Sequence, residues 1–166
     1  EIAAGEEEAC EKLMYALVLS GLAMQMTGNS RPASGAEHHL VHLWDMEVVN
    51  GHLDALHGEK VSAGTMLVLL EYKKIADAIR KGNCKVHTCP EEDRELLQST
   101  FGKKGILGAI EKENTPELLD DVSTKELSDT LPGILKIIDA LPAVTDMQEM
   151  MNTAGCVSRV RDIGLP

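Results

Sequence analysis

Five of the six histidines, His38, His39, His42, His52 and His57, fall within residues 38–57. A neutral imidazole is the commonest side-chain ligand for a borderline transition ion, and near neutral pH it also moves protons. His38 and His42 are four residues apart, which on a helix stacks them on one face a turn apart and turns His39 about 100° away. His57 opens the next helical stretch beside Gly58, where the chain can approach another element closely. Two histidines from adjacent helices plus one carboxylate would hold a divalent ion and leave one coordination position open, as a catalytic metal requires. The plainer alternative is a set of solvated or helix-capping histidines in an acidic chain.

Helices are what must position these side chains. Aromatic residues make up 2% of the 166, strand-like alternation is almost absent, and apolar residues recur at helical spacing, so the fold class is all-α, a multi-helix bundle. A first helix is expected over about Glu6 to Met26, with Leu13 and Leu17 on one stripe and Met14, Val18 and Leu22 beside it, ended by Gly28 and Asn29. Ser34 is a good N-cap for the second helix and Glu37, three residues on, completes a capping box. That helix should carry His38 to Val49 and stop near Asn50 and Gly51. A long helix starts at His57-Gly58-Glu59 and ends at Lys81-Gly82. Beyond Pro90 the pattern shortens to Glu91–Ser99, Gly105–Lys112, Thr124–Leu141 interrupted at Pro132, and Asp146–Ala154. Trp44, Met46 and the group Met14, Met24 and Met26 read as core packing.

Composition narrows the function. At 43% hydrophobic the chain can bury one real core, so residues 1–166 are read as a single helical domain. A net charge of −11 argues against nucleic acid, which needs clustered Lys and Arg. The longest apolar runs, such as Thr65–Leu70, fall far short of the roughly 20 residues that cross a bilayer. The expectation is a cytoplasmic protein that binds neither nucleic acid nor membrane. Cys10, Cys84, Cys89 and Cys156 are too scattered for a disulfide framework, and although Cys84 and Cys89 flank His87, no second pair completes a tetrahedral site. The chain opens on Glu1-Ile2-Ala3-Ala4 and an acidic run, without an initiator methionine, which suggests a fragment or a processed product.

The run from Gly28 to His42, GNSRPASGAEHHLVH, resembles the sn-glycerol-1-phosphate dehydrogenases, whose signature includes S-R-P-A-S-G-x-E-H. His57-Gly58-Glu59-Lys60-Val61 with Gly64 resembles the second metal motif of the wider superfamily of iron-type alcohol dehydrogenases, glycerol dehydrogenases and dehydroquinate synthases. The resemblance covers about Tyr15 to Ile75, and only a helical pattern beyond it. It implies the C-terminal metal-binding domain of a dehydroquinate synthase-like fold, lacking the N-terminal nucleotide-binding α/β domain. It implies His38 and His57 as metal ligands, His42 as the substrate-facing catalytic histidine, and an acidic third ligand that has no match here and would lie before Glu1.

The reaction implied is reversible reduction of dihydroxyacetone phosphate to sn-glycerol 1-phosphate with NADH or NADPH, the NAD(P) being held mainly by the absent domain. The divalent metal would be zinc, nickel or iron, acting as a Lewis acid on the ketone oxygen. Within that reaction His42 could relay a proton. Arg31, with Ser30 and the free N–H groups after Ser34, suits the phosphate of a small three-carbon substrate, and a surface or interdomain salt bridge accounts for Arg31 equally well. Glu37 reads as a cap rather than a base, and Glu59 and Lys60 would orient the second ligand or pair across a cleft. The histidine-lined apolar surface left by a missing domain would favour self-association into a homo-oligomer. Two rival readings are a glycerol dehydrogenase or other alcohol dehydrogenase acting on an unphosphorylated substrate, and a non-catalytic helical interaction module.

Overall fold

The structure, a computed structural model, describes residues 1–87, 93–113, 115 and 121–166. Among these residues every regular element is helical, in the order α1 (Glu7–Thr27), α2 (Ala36–Asp45), α3 (His57–Arg80), α4 (Arg94–Phe101), α5 (Leu107–Glu113), α6 (Thr124–Asp139) and α7 (Val144–Thr153), with short 3-10 turns before α1, between α4 and α5, and after α7. The all-α reading of composition therefore holds. The chain divides into two compact units. One comprises Glu1–Met46, His52–Leu70 and Ala143–Pro166, the other Glu47–Gly51 and Glu71–Pro142, so that residues 57–70 of α3 belong to the first and 71–80 to the second.

In the first unit a core forms around Val41, Trp44, Leu53, Ala63 and Ile163, with Leu40, Val61, Leu67, Val157 and Leu165 packed on it. Val41 and Trp44, three apart on α2, face the core; His38, three before Val41, flanks that face, and His42 lies farther round the helix. Ser62 of α3 donates a hydrogen bond to the carbonyl of Val157, tying the C-terminal segment to the same core. α1 begins on Glu7 and Glu8, whose charges complement the helix N-terminus. It ends at Gly28, which takes the left-handed conformation (φ 67°) and returns its N–H to the carbonyl of Met24.

Several local expectations need correction. Gly35, not Ser34, is the N-cap of α2, with an extended backbone and no side-chain cap; the expected Ser34–Glu37 box is replaced by Glu37 Oε1 accepting from the Gly35 N–H at 2.8 Å, while the Ser34 N–H goes to the Ser30 carbonyl. α2 stops at Asp45 rather than Val49, since Glu47 adopts φ 53°, the left-handed region that a helix cannot pass through. The apolar stripe of α1 is not buried: Leu13, Met14, Leu17, Val18, Leu19 and Leu22 are between 44% and 60% exposed, and Ala9 is the one buried residue of that helix. Met14 and Met26, read as core, are exposed as well.

In the second unit α6 lies against the end of α3. Lys73 Nζ donates to the carbonyls of Ile138 and Leu141, at 3.0 and 3.2 Å, and Arg80 pairs with Asp139. Tyr72, Ile75, Ile134, Ile137, Ile138 and Leu141 line a cavity of about 320 Å³ there. α6 runs through Pro132 without the expected break. Pro132 and Ser128 are both exposed, so the Ser128 carbonyl that loses its helical donor can be hydrated. The start of α4 is fixed by Asp93, whose carboxylate accepts from the Leu96 N–H at 2.9 Å. The expected helix start at Glu91 and the residue Cys89 lie outside the described residues.

Candidate functional site

α2 and the first turn of α3 bring three imidazoles together. The ring centres of His38 and His57 are 5.5 Å apart, and His42 lies 6.2 Å from each. The i, i+4 spacing stacks His38 over His42, and the chain reversal after Asp45 returns His57 to the same place. Gly64 makes this approach close: a Cβ there would stand 3.3 Å from the backbone oxygen of Glu37 and 3.5 Å from its Cβ, so any larger residue would push the start of α2 off α3. His39 is exposed, and His52 also lies outside this trio.

Each of two rings is held by a carboxylate. Glu37 Oε1 lies 3.1 Å from His38 Nδ1, and Asp45 Oδ2 lies 3.4 Å from His57 Nδ1. Asp45 in turn accepts from the Nζ of Lys60 at 2.7 Å, and Lys60 is the one buried charged residue among the described residues. Glu59 caps α3, its Oε2 accepting from the Leu56 N–H at 2.7 Å, while Lys60 reaches the second histidine through Asp45. Partial burial raises the Glu37 pKa, but hydrogen bonds from His38 and the Gly35 N–H outweigh it and hold the carboxyl below its ordinary value. The hydrogen bond from Lys60 is the main cause that lowers Asp45, burial opposes it, and His57 adds to the lowering.

The donor set suits a divalent ion in type and in spacing. An ion about 2.1 Å from an imidazole nitrogen stands about 3.2 Å from the ring centre, so tetrahedral geometry would separate two ring centres by about 5.2 Å. The His38–His57 separation of 5.5 Å is within a few tenths of that, and His42 stands wider. The set is incomplete within this chain: among the described residues no three His, Cys, Asp or Glu side chains are grouped so as to hold a metal.

Arg31 sits in the turn before α2. Its backbone N–H is received by Asn29 Oδ1 at 3.0 Å, and Ser34 N–H donates to the Ser30 carbonyl at 2.9 Å. The guanidinium is exposed and makes no ion pair among the described residues. The Asp45–Lys60 pair and the part of Asp45 behind His57 were not read from the sequence; residues 15 apart carry no local signal of their pairing. Among the described residues no helix is long and apolar enough to cross a membrane.

Comparison with known proteins adds relatives of one kind. The chain is 34% identical, over 166 residues and 99% of its length, to a glycerol-1-phosphate dehydrogenase (NAD(P)+) of Halalkalibacterium halodurans, of which it covers 33%. It is 45% identical over 127 residues to the enzyme of that name from Geobacillus thermodenitrificans, covering 68% of this chain and 31% of the relative. An archaeal relative of the same name, from Pyrococcus horikoshii, is 41% identical over 80 residues, 46% of this chain and 22% of the relative. The chain thus spans about a third of the length of the H. halodurans relative. No protein-family model and no solved structure matches it.

Proposed function

Because the chain belongs to the glycerol-1-phosphate dehydrogenase family, we propose that it is the helical, metal-binding part of a cytoplasmic enzyme that interconverts dihydroxyacetone phosphate and sn-glycerol 1-phosphate with NAD(P). The observation that carries the reading is the convergence of the His38, His42 and His57 rings from two helices at 5.5 to 6.2 Å. His38 and His57 are two of the ligands of a divalent ion, zinc in preference to nickel or iron. Such an ion, when bound, supplies Lewis-acid polarisation of the ketone oxygen. An acidic third ligand and the nicotinamide-binding site belong, in this reading, to the rest of a protein of the relatives' length.

The chain's own residues divide the remaining work. His42, exposed and beside the ligand pair, hydrogen-bonds the reacting oxygen or the neighbouring hydroxyl and passes a proton to it. Arg31 offers a forked guanidinium to the substrate phosphate, with the turn at Ser34 and the first N–H groups of α2 alongside. A chimera in which residues 1–166 replace the matching third of the H. halodurans enzyme tests this. It should oxidise NAD(P)H with dihydroxyacetone phosphate far faster than with dihydroxyacetone, while the 166-residue chain alone turns over neither. Turnover by the chain alone, or a folded chimera that prefers the unphosphorylated ketone, overturns the proposal.

A further inference from the structure

A neutral imidazole carries one proton on two nitrogens, and an ionised carboxylate can only accept. His38 Nδ1 faces Glu37 Oε1 and His57 Nδ1 faces Asp45 Oδ2, at 3.1 and 3.4 Å. Neither carboxylate is loosely placed. Glu37 Oε1 is also held by the Gly35 N–H at the first turn of α2, and the other oxygen of Asp45 is held by the buried Lys60. Both acids therefore stay where a proton on Nδ1 satisfies them and a proton on Nε2 does not.

We propose that Glu37 and Asp45 are positioning residues that hold His38 and His57 in the Nδ1–H tautomer, so that both rings offer the bare Nε2 to a divalent ion. The inference rests on the metal-binding reading above and names what orients its two ligands. A carboxylate behind a ligating histidine fixes the ring's tautomer and orientation and raises its basicity, and losing it typically weakens metal affinity about 10–100-fold. The two carboxylates are supported differently, and their amide replacements should therefore differ in effect. In Glu37→Gln the side-chain oxygen is kept facing Gly35 and His38 by the Gly35 N–H. In Asp45→Asn the Lys60 ammonium claims the oxygen, so the amide NH₂ turns to His57 Nδ1 and makes it an acceptor.

Nitrogen-15 NMR of the metal-free 166-residue chain at a pH where the imidazoles are neutral reads the protonated nitrogen of each ring directly. The parent should show bare Nε2 in His38 and His57. Glu37→Gln should keep the His38 tautomer, Glu37→Ala should release it, and Asp45→Asn should invert His57 to the Nε2–H form. Cobalt(II) affinity, followed by visible absorption, should fall about 10–100-fold in Glu37→Ala and Asp45→Asn and little in Glu37→Gln. Protons on Nε2 of both rings in the parent, or tautomers that ignore all three changes, would overturn the inference. Tautomers that respond as stated, with no cobalt taken up even by the folded chimera that supplies the rest of the enzyme, would leave the two carboxylates in their positioning role and overturn the metal-binding reading instead.

Discussion

Replacing Asp45 by alanine leaves the Lys60 ammonium without its partner in a place where water reaches it poorly. The Lys60 side chain is 11% exposed and that of Asp45 36%, with 2.7 Å between Nζ and Oδ1. Breaking a fully buried pair costs about 3–5 kcal/mol, because one charge is stranded, whereas an exposed pair is worth about 0.2–1 kcal/mol. Asp45 is more than a third exposed, so solvent already screens the pair, and the expected loss for D45A is about 1–3 kcal/mol. With a urea dependence of about 2 kcal/mol per molar, a loss of 2 kcal/mol lowers the unfolding midpoint by about 1 M. Lys60→Met should cost less, since the aspartate left behind can rehydrate. The pH dependence has a definite sign. The folded-state pKa of Asp45 is lowered, so the unfolded chain takes up the proton first, and the pair's contribution is complete above the ordinary carboxylate value and lost as pH falls through the lowered one. The gap between parent and D45A should therefore persist at neutral pH and close only below about pH 4. An unchanged midpoint at neutral pH, or a larger loss in Lys60→Met than in D45A, would refute this reasoning.

Two further outcomes follow from the packing. Gly64→Ala should move the start of α2 by a few tenths of an ångström and destabilise the chain by about 1–3 kcal/mol, with a matching loss of cobalt affinity; a variant as stable as the parent would mean that the close approach to Glu37 is not tight. The 44–60% exposure of the apolar residues 13, 14, 17, 18, 19 and 22 of α1 should make the 166-residue chain self-associate as its concentration rises, and Leu17→Lys with Leu22→Lys should suppress this in sedimentation experiments. A parent that stays monomeric at high micromolar concentration contradicts that expectation.

Much of the candidate site was legible because its signals are local. The i, i+4 pair His38 and His42 and the helix start at His57 are properties of short windows, and the structure brings these three rings together. Trp44, read as core packing, is buried beside Val41. What escaped reading depends on backbone choices or distant partners. Ser34 has the right side chain for a cap, but the extended backbone falls at Gly35. The end of α2 is set by the left-handed conformation of Glu47, a residue that seldom takes it. Pro132 predicts a break, yet it and Ser128, four residues earlier, are both exposed, so the carbonyl that loses its donor can be hydrated. The stripe of α1 shows an apolar surface without saying what covers it, and the Asp45–Lys60 pair exists only once α2 and α3 meet.

Cobalt(II) titration of the purified 166-residue chain, compared with His38→Ala, His57→Ala and His42→Ala, tests the metal-binding claim most directly. Weak, saturable binding is expected, lost in the first two variants, because each removes one of the two ligands proposed for this chain, and kept in His42→Ala. Equal affinity in the parent, His38→Ala and His57→Ala would contradict it.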